Sequence, residues 1–197
     1  MKKIAILITS TLIISNILFA QKQEYNMKIR AIGTDIGSVY ATKQVYGKDT
    51  YYLTKSHFYV NLLVRKIDMT GENKTHYRDG KLIEAVNKVV VNGEVRSSST
   101  IKWDGKQYTV KVDGEPLDPL LSPIYFSGSL LYHEEPLGKN KAFSESSGVT
   151  MRVSSKGNQE YQVVDPQNGR KMIYAYKKGE LARVEIKHPI LTVYMSR

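Results

Sequence analysis

Apolar and polar positions alternate from the first strand-like stretch of the chain. Tyr25, Met27, Ile29 and Ala31 fall on one side of an extended backbone and Asn26, Lys28 and Arg30 on the other, the period-2 pattern of a half-buried strand. Gly33 and Gly37 are expected to bracket a turn. A second alternating stretch runs from Val39 to Tyr46, with Gly47-Lys48-Asp49 as its turn, and a third, longer one runs from Tyr51 to Met69. In the third, the apolar parity moves from Phe58, Val60, Leu62 and Val64 to Ile67 and Met69, which predicts a β-bulge or a bend between two strands near Arg65-Lys66. Asp79-Gly80, Asn92-Gly93, Asp104-Gly105 and Asp113-Gly114 then punctuate the chain. Such pairs supply the positive φ angles that tight hairpins need, so the runs between them, Ala85 to Val91, Ser97 to Trp103 and Gln107 to Val112, predict an antiparallel meander.

The pattern changes at Glu115. Pro116, Pro119 and Pro123 follow in quick succession and rule out a central strand. Ser122 as an N-cap with Pro123 at the first helical position predicts a short helix over Ile124 to Tyr132, ended by Pro136 and Gly138. Strand patterning resumes at Thr150 to Ser154, Tyr161 to Val164, Met172 to Tyr176, Leu181 to Ile186 and Ile190 to Met195, with His188-Pro189 as the last break. The expected fold is mainly β, a curved antiparallel meander or half-open barrel of about ten strands with one short inserted helix.

The beginning of the chain has a different character. Lys2 and Lys3 precede an apolar run from Ile4 to Phe19, which ends at Ala20 before the polar Gln21-Lys22-Gln23-Glu24. Residues 1–20 are therefore expected to be a cleaved signal peptide and residues 21–197 a single β-rich domain, released to the periplasm or secreted. No other long apolar run exists, so no integral membrane segment is expected after cleavage. The chain has no cysteine, which excludes a lipoprotein acyl anchor, disulfide scaffolding and thiolate metal sites. The formal charge of +10 first suggests nucleic acid. Export and the dispersal of Lys and Arg turn that expectation toward an anionic envelope surface.

Candidate chemistry is sparse. His57, His76, His133 and His188 form no ligand pair at short spacing, and no EF-hand loop is present, so neither a metal nor another cofactor is expected. His133-Glu134-Glu135 reads as an exposed polar helix end. There is no Gly-x-Ser-x-Gly elbow and no phosphate-binding loop, and Ser127-Gly128-Ser129 and Ser144-Glu145-Ser146-Ser147-Gly148 read as small-residue loops. Paired carboxylates would come together only in three dimensions. Fourteen Tyr against four Phe and one Trp is the one excess, and it suits a sheet face apolar at the ring and wet at the hydroxyl. A sharper reading has some aromatic groups lining a cleft for a lipid or other apolar ligand. Trp103 and the apolar insert residues Tyr125, Phe126, Leu130 and Leu131 are the candidate ligand-binding residues.

The opening strand followed by Gly33-Thr34-Asp35-Ile36-Gly37, the phrase Tyr77-Arg78-Asp79-Gly80-Lys81-Leu82, the mid-chain Pro-containing segment and the late Tyr174-Ala175-Tyr176-Lys177-Lys178-Gly179-Glu180-Leu181 resemble uncharacterised exported β-rich proteins common in Bacteroidetes. The resemblance covers most of residues 21–197. It implies a sheet layout similar to the half-open antiparallel barrels of periplasmic lipoprotein carriers, and it carries over no catalytic or binding residue. The lack of an N-terminal cysteine departs from the outer-membrane receptor of the carrier group.

Overall fold

In the computed structural model the described residues are 21–62, 65–187 and 192–197. The expected signal peptide and the expected break at His188-Pro189 lie outside them. Fourteen strands are present among the described residues: β1 Gln21–Ala31, β2 Thr34–Tyr46, β3 Asp49–Leu62, β4 Arg65–Arg78, β5 Lys81–Val91, β6 Glu94–Trp103, β7 Tyr108–Val112, β8 Glu115–Leu120, β9 Lys141–Phe143, β10 Thr150–Gly157, β11 Glu160–Val164, β12 Lys171–Lys177, β13 Glu180–Lys187 and β14 Thr192–Ser196. They form one antiparallel sheet in the order β8 to β1 and then β14 to β9. The sheet is not closed into a barrel. Its two edges, β8 and β9, come from the middle of the chain, and the segment between them crosses the gap.

The hairpins follow the turn chemistry of the sequence. Asp79-Gly80, Asn92-Gly93, Asp113-Gly114 and Lys178-Gly179 each place two consecutive residues at positive φ, as tight hairpins between right-twisted strands require. Asp104 keeps a negative φ and instead accepts hydrogen bonds from the backbone N–H groups of Lys106 and Gln107. At the parity change expected near Arg65-Lys66, β3 and β4 pair antiparallel, with Leu62 opposite Arg65.

Three expectations need correction. There are fourteen strands among the described residues and not about ten: the stretch from Tyr51 to Met69 is divided between β3 and β4, and β8 and β9 lie where no strand is expected. Pro116 and Pro119 are accommodated in β8 because that strand is an edge, where a missing N–H costs no ladder bond. The inserted helix does not form. Only a 3-10 turn, Gly128–Tyr132, is present, with Ser127 and not Ser122 before it. Gly37, expected at a turn, lies inside β2. The turn is Ile32-Gly33, and the β1–β2 register shifts between Ile29 and Arg30.

The sheet curls so that its two halves share an interior. One apolar cluster joins Met27, Ile29 and Val39 to Val163, Tyr174 and Val184 of the second half, and a second gathers Tyr52, Tyr77, Leu82, Ile101 and Tyr108 with Phe143 of β9. The insert supplies both, with Leu131 in the first and Leu130 in the second. The loop after β9 closes against the opposite edge: a Cβ added to Gly148 would lie 2.8 Å from Val110 and 2.9 Å from Leu117.

Gly37 marks a place where two strands touch backbone to backbone. A Cβ there would meet the His57 carbonyl oxygen at 2.1 Å and the Phe58 Cα at 2.6 Å. Gly37→Ala is therefore expected to destabilise the protein by about 2 kcal/mol or more, read as a lowered urea midpoint.

Candidate functional site

Side chains of one parity on β3 to β6 face the interior in ordered rows. Thr54, Asn73, Asn87 and Ser99 are direct cross-strand partners in sequence, one on each strand. The neighbouring row, Tyr52, Thr75, Ala85 and Ile101, is buried core. A polar row thus lies beside an apolar one on the inner face of the sheet. The Asn73 and Asn87 side-chain oxygens are buried with no hydrogen-bond partner, although Asn73 donates its amide N–H to Ser129 Oγ at 2.9 Å.

The insert is held against this face by side chains of the strands and of the loop after β9. Glu145, 3% exposed, accepts through Oε1 from Ser127 Oγ at 2.5 Å and from the Ser129 backbone N–H at 2.9 Å, while its own carbonyl accepts from Ser99 Oγ. Tyr77 donates to Ser127 Oγ, Tyr176 to the Leu131 carbonyl, Tyr52 to Glu134 and Tyr161 to Glu135. Tyr108 donates to the Leu82 carbonyl and accepts from the Ile124 N–H. Burial raises the pKa of each of these tyrosines above its ordinary value, with the nearby Glu145, Glu134 or Glu135 adding to it for Tyr77, Tyr52, Tyr161 and Tyr176. All five hydroxyls therefore stay protonated and able to donate at neutral pH. The tyrosine excess is accounted for in part here: rings in the core, hydroxyls fastening the insert.

Above the Ser127–Ser129 backbone a cleft of about 640 Å³ remains between the two halves of the sheet. Its first wall is the polar row, including Thr54, Asn73 and Asn87. The opposite wall carries Met151, Met172 and Tyr174 of β10 and β12, with Tyr132 from the insert. Burial pushes the Tyr132 hydroxyl up to about 12, and the Glu145 carboxylate adds to the effect. Gly128, Ser129 and Glu145 make the floor. At the mouth, Arg96 and Arg170 stand with Asp113 and Asp165. Asp165 is engaged by the Gln167 N–H, Asn168 and Ser147.

The arrangement sets hydrogen-bonding groups on one wall against apolar surface on the other. Ser127 is fully buried and donates to a carboxylate, so it is not a presented nucleophile. No group of three or more His, Asp or Glu side chains that could hold a metal occurs among the described residues.

The five residues expected to bind a ligand do not share one cavity. Leu130 and Leu131, 5% and 0% exposed, are core and support the floor from behind. Tyr125 and Phe126 line an outer groove between the β8 end and β9, with Tyr125 60% exposed. Trp103 packs on Tyr108, with the Lys81 ammonium 4.4 Å from its ring centre. Sequence reasoning missed Glu145, Asn73 and Asn87. The signal available was a polar residue at an inward position of a strand, as Asn87 is between Ala85 and Val89.

His133, expected at an exposed helix end, is 9% exposed and sits between the rings of Tyr25 and Tyr52, with centroids at 5.2 and 5.3 Å. Neither ring nitrogen has a partner. Burial, with Lys43 and Arg197 nearby, lowers its pKa from 6.5 to about 4. Between pH 6.5 and 4 the unfolded chain takes up this proton and the folded protein does not. Stability therefore falls as the pH falls through that window, by roughly 3 kcal/mol in all, and His133→Phe is expected to remove this component of the urea-midpoint shift. A second pair of variants tests the placement of the insert: Leu131→Ala is expected to cost roughly 2–5 kcal/mol, and Tyr125→Ala to stay within about 0.5 kcal/mol, by the same measurement.

A family described as a domain of unknown function, DUF6134, matches residues 27–197, and the chain belongs to that family. Neither a curated protein nor a solved structure matches it.

Proposed function

We propose that this protein is a non-enzymatic binding protein of the cell envelope, which holds an amphipathic small molecule in the cleft inside its curved sheet. The observation that carries the reading is the two-faced cleft. Asn73 and Asn87 offer hydrogen-bond acceptors left without donors on one side, and Met151, Met172 and Tyr174 offer apolar surface on the other. An unpaired buried acceptor costs about 1–3 kcal/mol, which a ligand donor would recover. The cleft size is in the range of small-molecule sites. The lining departs from a purely aliphatic pocket, so the ligand has a polar group as well as an apolar body.

The placement in the envelope rests on the sequence, through the export-like first twenty residues and the resemblance to exported β-rich proteins of the carrier type. No helix among the described residues is long and apolar enough to cross a membrane. The basic surface suits anionic envelope lipids or glycans as neighbours. A second reading, an envelope interaction module, is favoured by Leu121 and Tyr125, 72% and 60% exposed beside the outer groove.

Native mass spectrometry of the protein purified from its host, followed by organic extraction, tests the main reading. A bound small molecule is expected, and Met172→Trp, which fills the cleft, is expected to lower its occupancy at least about tenfold. An empty protein that also takes up no added amphiphile would overturn it.

A further inference from the structure

We propose that the polar group of the ligand is a primary amine, seated as ammonium on Glu145. The inference rests on the binding reading above and names the chemistry of its ligand. Glu145 spends one oxygen, Oε1, on the Ser127 hydroxyl and the Ser129 N–H. Among the described residues the side-chain hydrogen bonds to this carboxylate all fall on Oε1, and none falls on Oε2. Oε2 lies where the insert has no side chain, 2.9 Å from the position a Cβ on Gly128 would occupy, and both residues form the cleft floor. The polar row beside it ends in amide groups. With the Asn73 amide N–H given to Ser129 Oγ, its Oδ1 is the atom left without a partner.

A group that answers a carboxylate oxygen and amide oxygens together must carry several donors and positive charge. An ammonium has three donors and no acceptor, and charge-assisted hydrogen bonds to a carboxylate are roughly twice as strong as neutral ones. An alcohol supplies one donor, and a carboxylate or phosphate supplies none. Charge sorts the cleft in the same direction. At its mouth Arg96 and Arg170 stand with Asp113 and Asp165, so both signs are present, whereas the floor bears only Glu145. The apolar wall opposite, with Met151, Met172 and Tyr174, then takes the body of the amine.

Isothermal titration of the purified protein at pH 7 with octylamine, octan-1-ol and octanoate separates the possibilities. Octylamine is expected to bind at least about tenfold more tightly than either of the others. Gly128→Ala keeps the backbone conformation available, because Gly128 is not among the positive-φ glycines, and puts a methyl group against Oε2. It is expected to lower octylamine affinity at least about tenfold and octan-1-ol affinity by a clearly smaller factor, with circular dichroism reporting the fold. Asn87→Leu, which removes one amide and keeps the carboxylate, is expected to give a smaller loss for octylamine. Octan-1-ol or octanoate binding as tightly as octylamine, or octylamine affinity untouched in both variants, would overturn the amine and leave the binding reading standing. Failure of all three compounds to bind would overturn both.

Discussion

A segment without regular hydrogen bonding lies inside the sheet, and every polar group of its backbone must find a partner there. This constraint orders the interior. A 3-10 turn of five residues satisfies few of its own groups, so the partners come from strands on both halves of the sheet and from the loop after β9: Tyr176 for the Leu131 carbonyl, Tyr108 for the Ile124 N–H, Glu145 for the Ser129 N–H. Tyrosine suits the task because its ring contributes to the core while its hydroxyl carries a hydrogen bond into the centre. The sheet needs the insert in turn. Leu130 and Leu131 fill the space between its halves, and without them each half would present an apolar face to solvent.

The fold was largely legible in the sequence because a meander is written in local signals. Alternation set which residues of β1 face inward, and Asp-Gly and Asn-Gly pairs set most of the turns. Of the strands missed, β8 was lost to reading Pro116 and Pro119 as a veto. They veto only a strand with neighbours on both sides, and whether β8 is an edge depends on pairing across the whole chain. The inserted helix failed for a related reason. Its local caps were adequate, but burial between two walls and the tertiary bonds to Ser127 and Leu131 won over propensity.

The candidate site was much less legible. Glu145 sits in a run of serines that reads as loop, and its role exists only because Ser127 and Ser129 are brought beneath it from a segment before β9. Asn73 and Asn87 are adjacent across β4 and β5, a relation that depends on register and not on spacing. The apolar insert residues were conspicuous in sequence; Leu130 and Leu131 are core, while Tyr125 is exposed at the outer groove. The polar exceptions on an otherwise apolar inner face are a weaker signal, which alternation alone cannot separate from a locally tolerated mismatch.

The adjacency of β1 and β14 has a kinetic meaning. Lys28 pairs with Ser196 and Ile29 with Met195, so the first strand waits for the last before the centre of the sheet is complete. Each hairpin can form early from local contacts, yet the pairing that joins the two halves carries nearly the full loop-closure entropy of the domain. During synthesis the emerging chain would therefore remain an incomplete set of hairpins with an open central edge until its final residues appear. Delayed completion of this kind keeps a polypeptide threadable, the condition under which a chain can be passed through a narrow translocation channel before it folds.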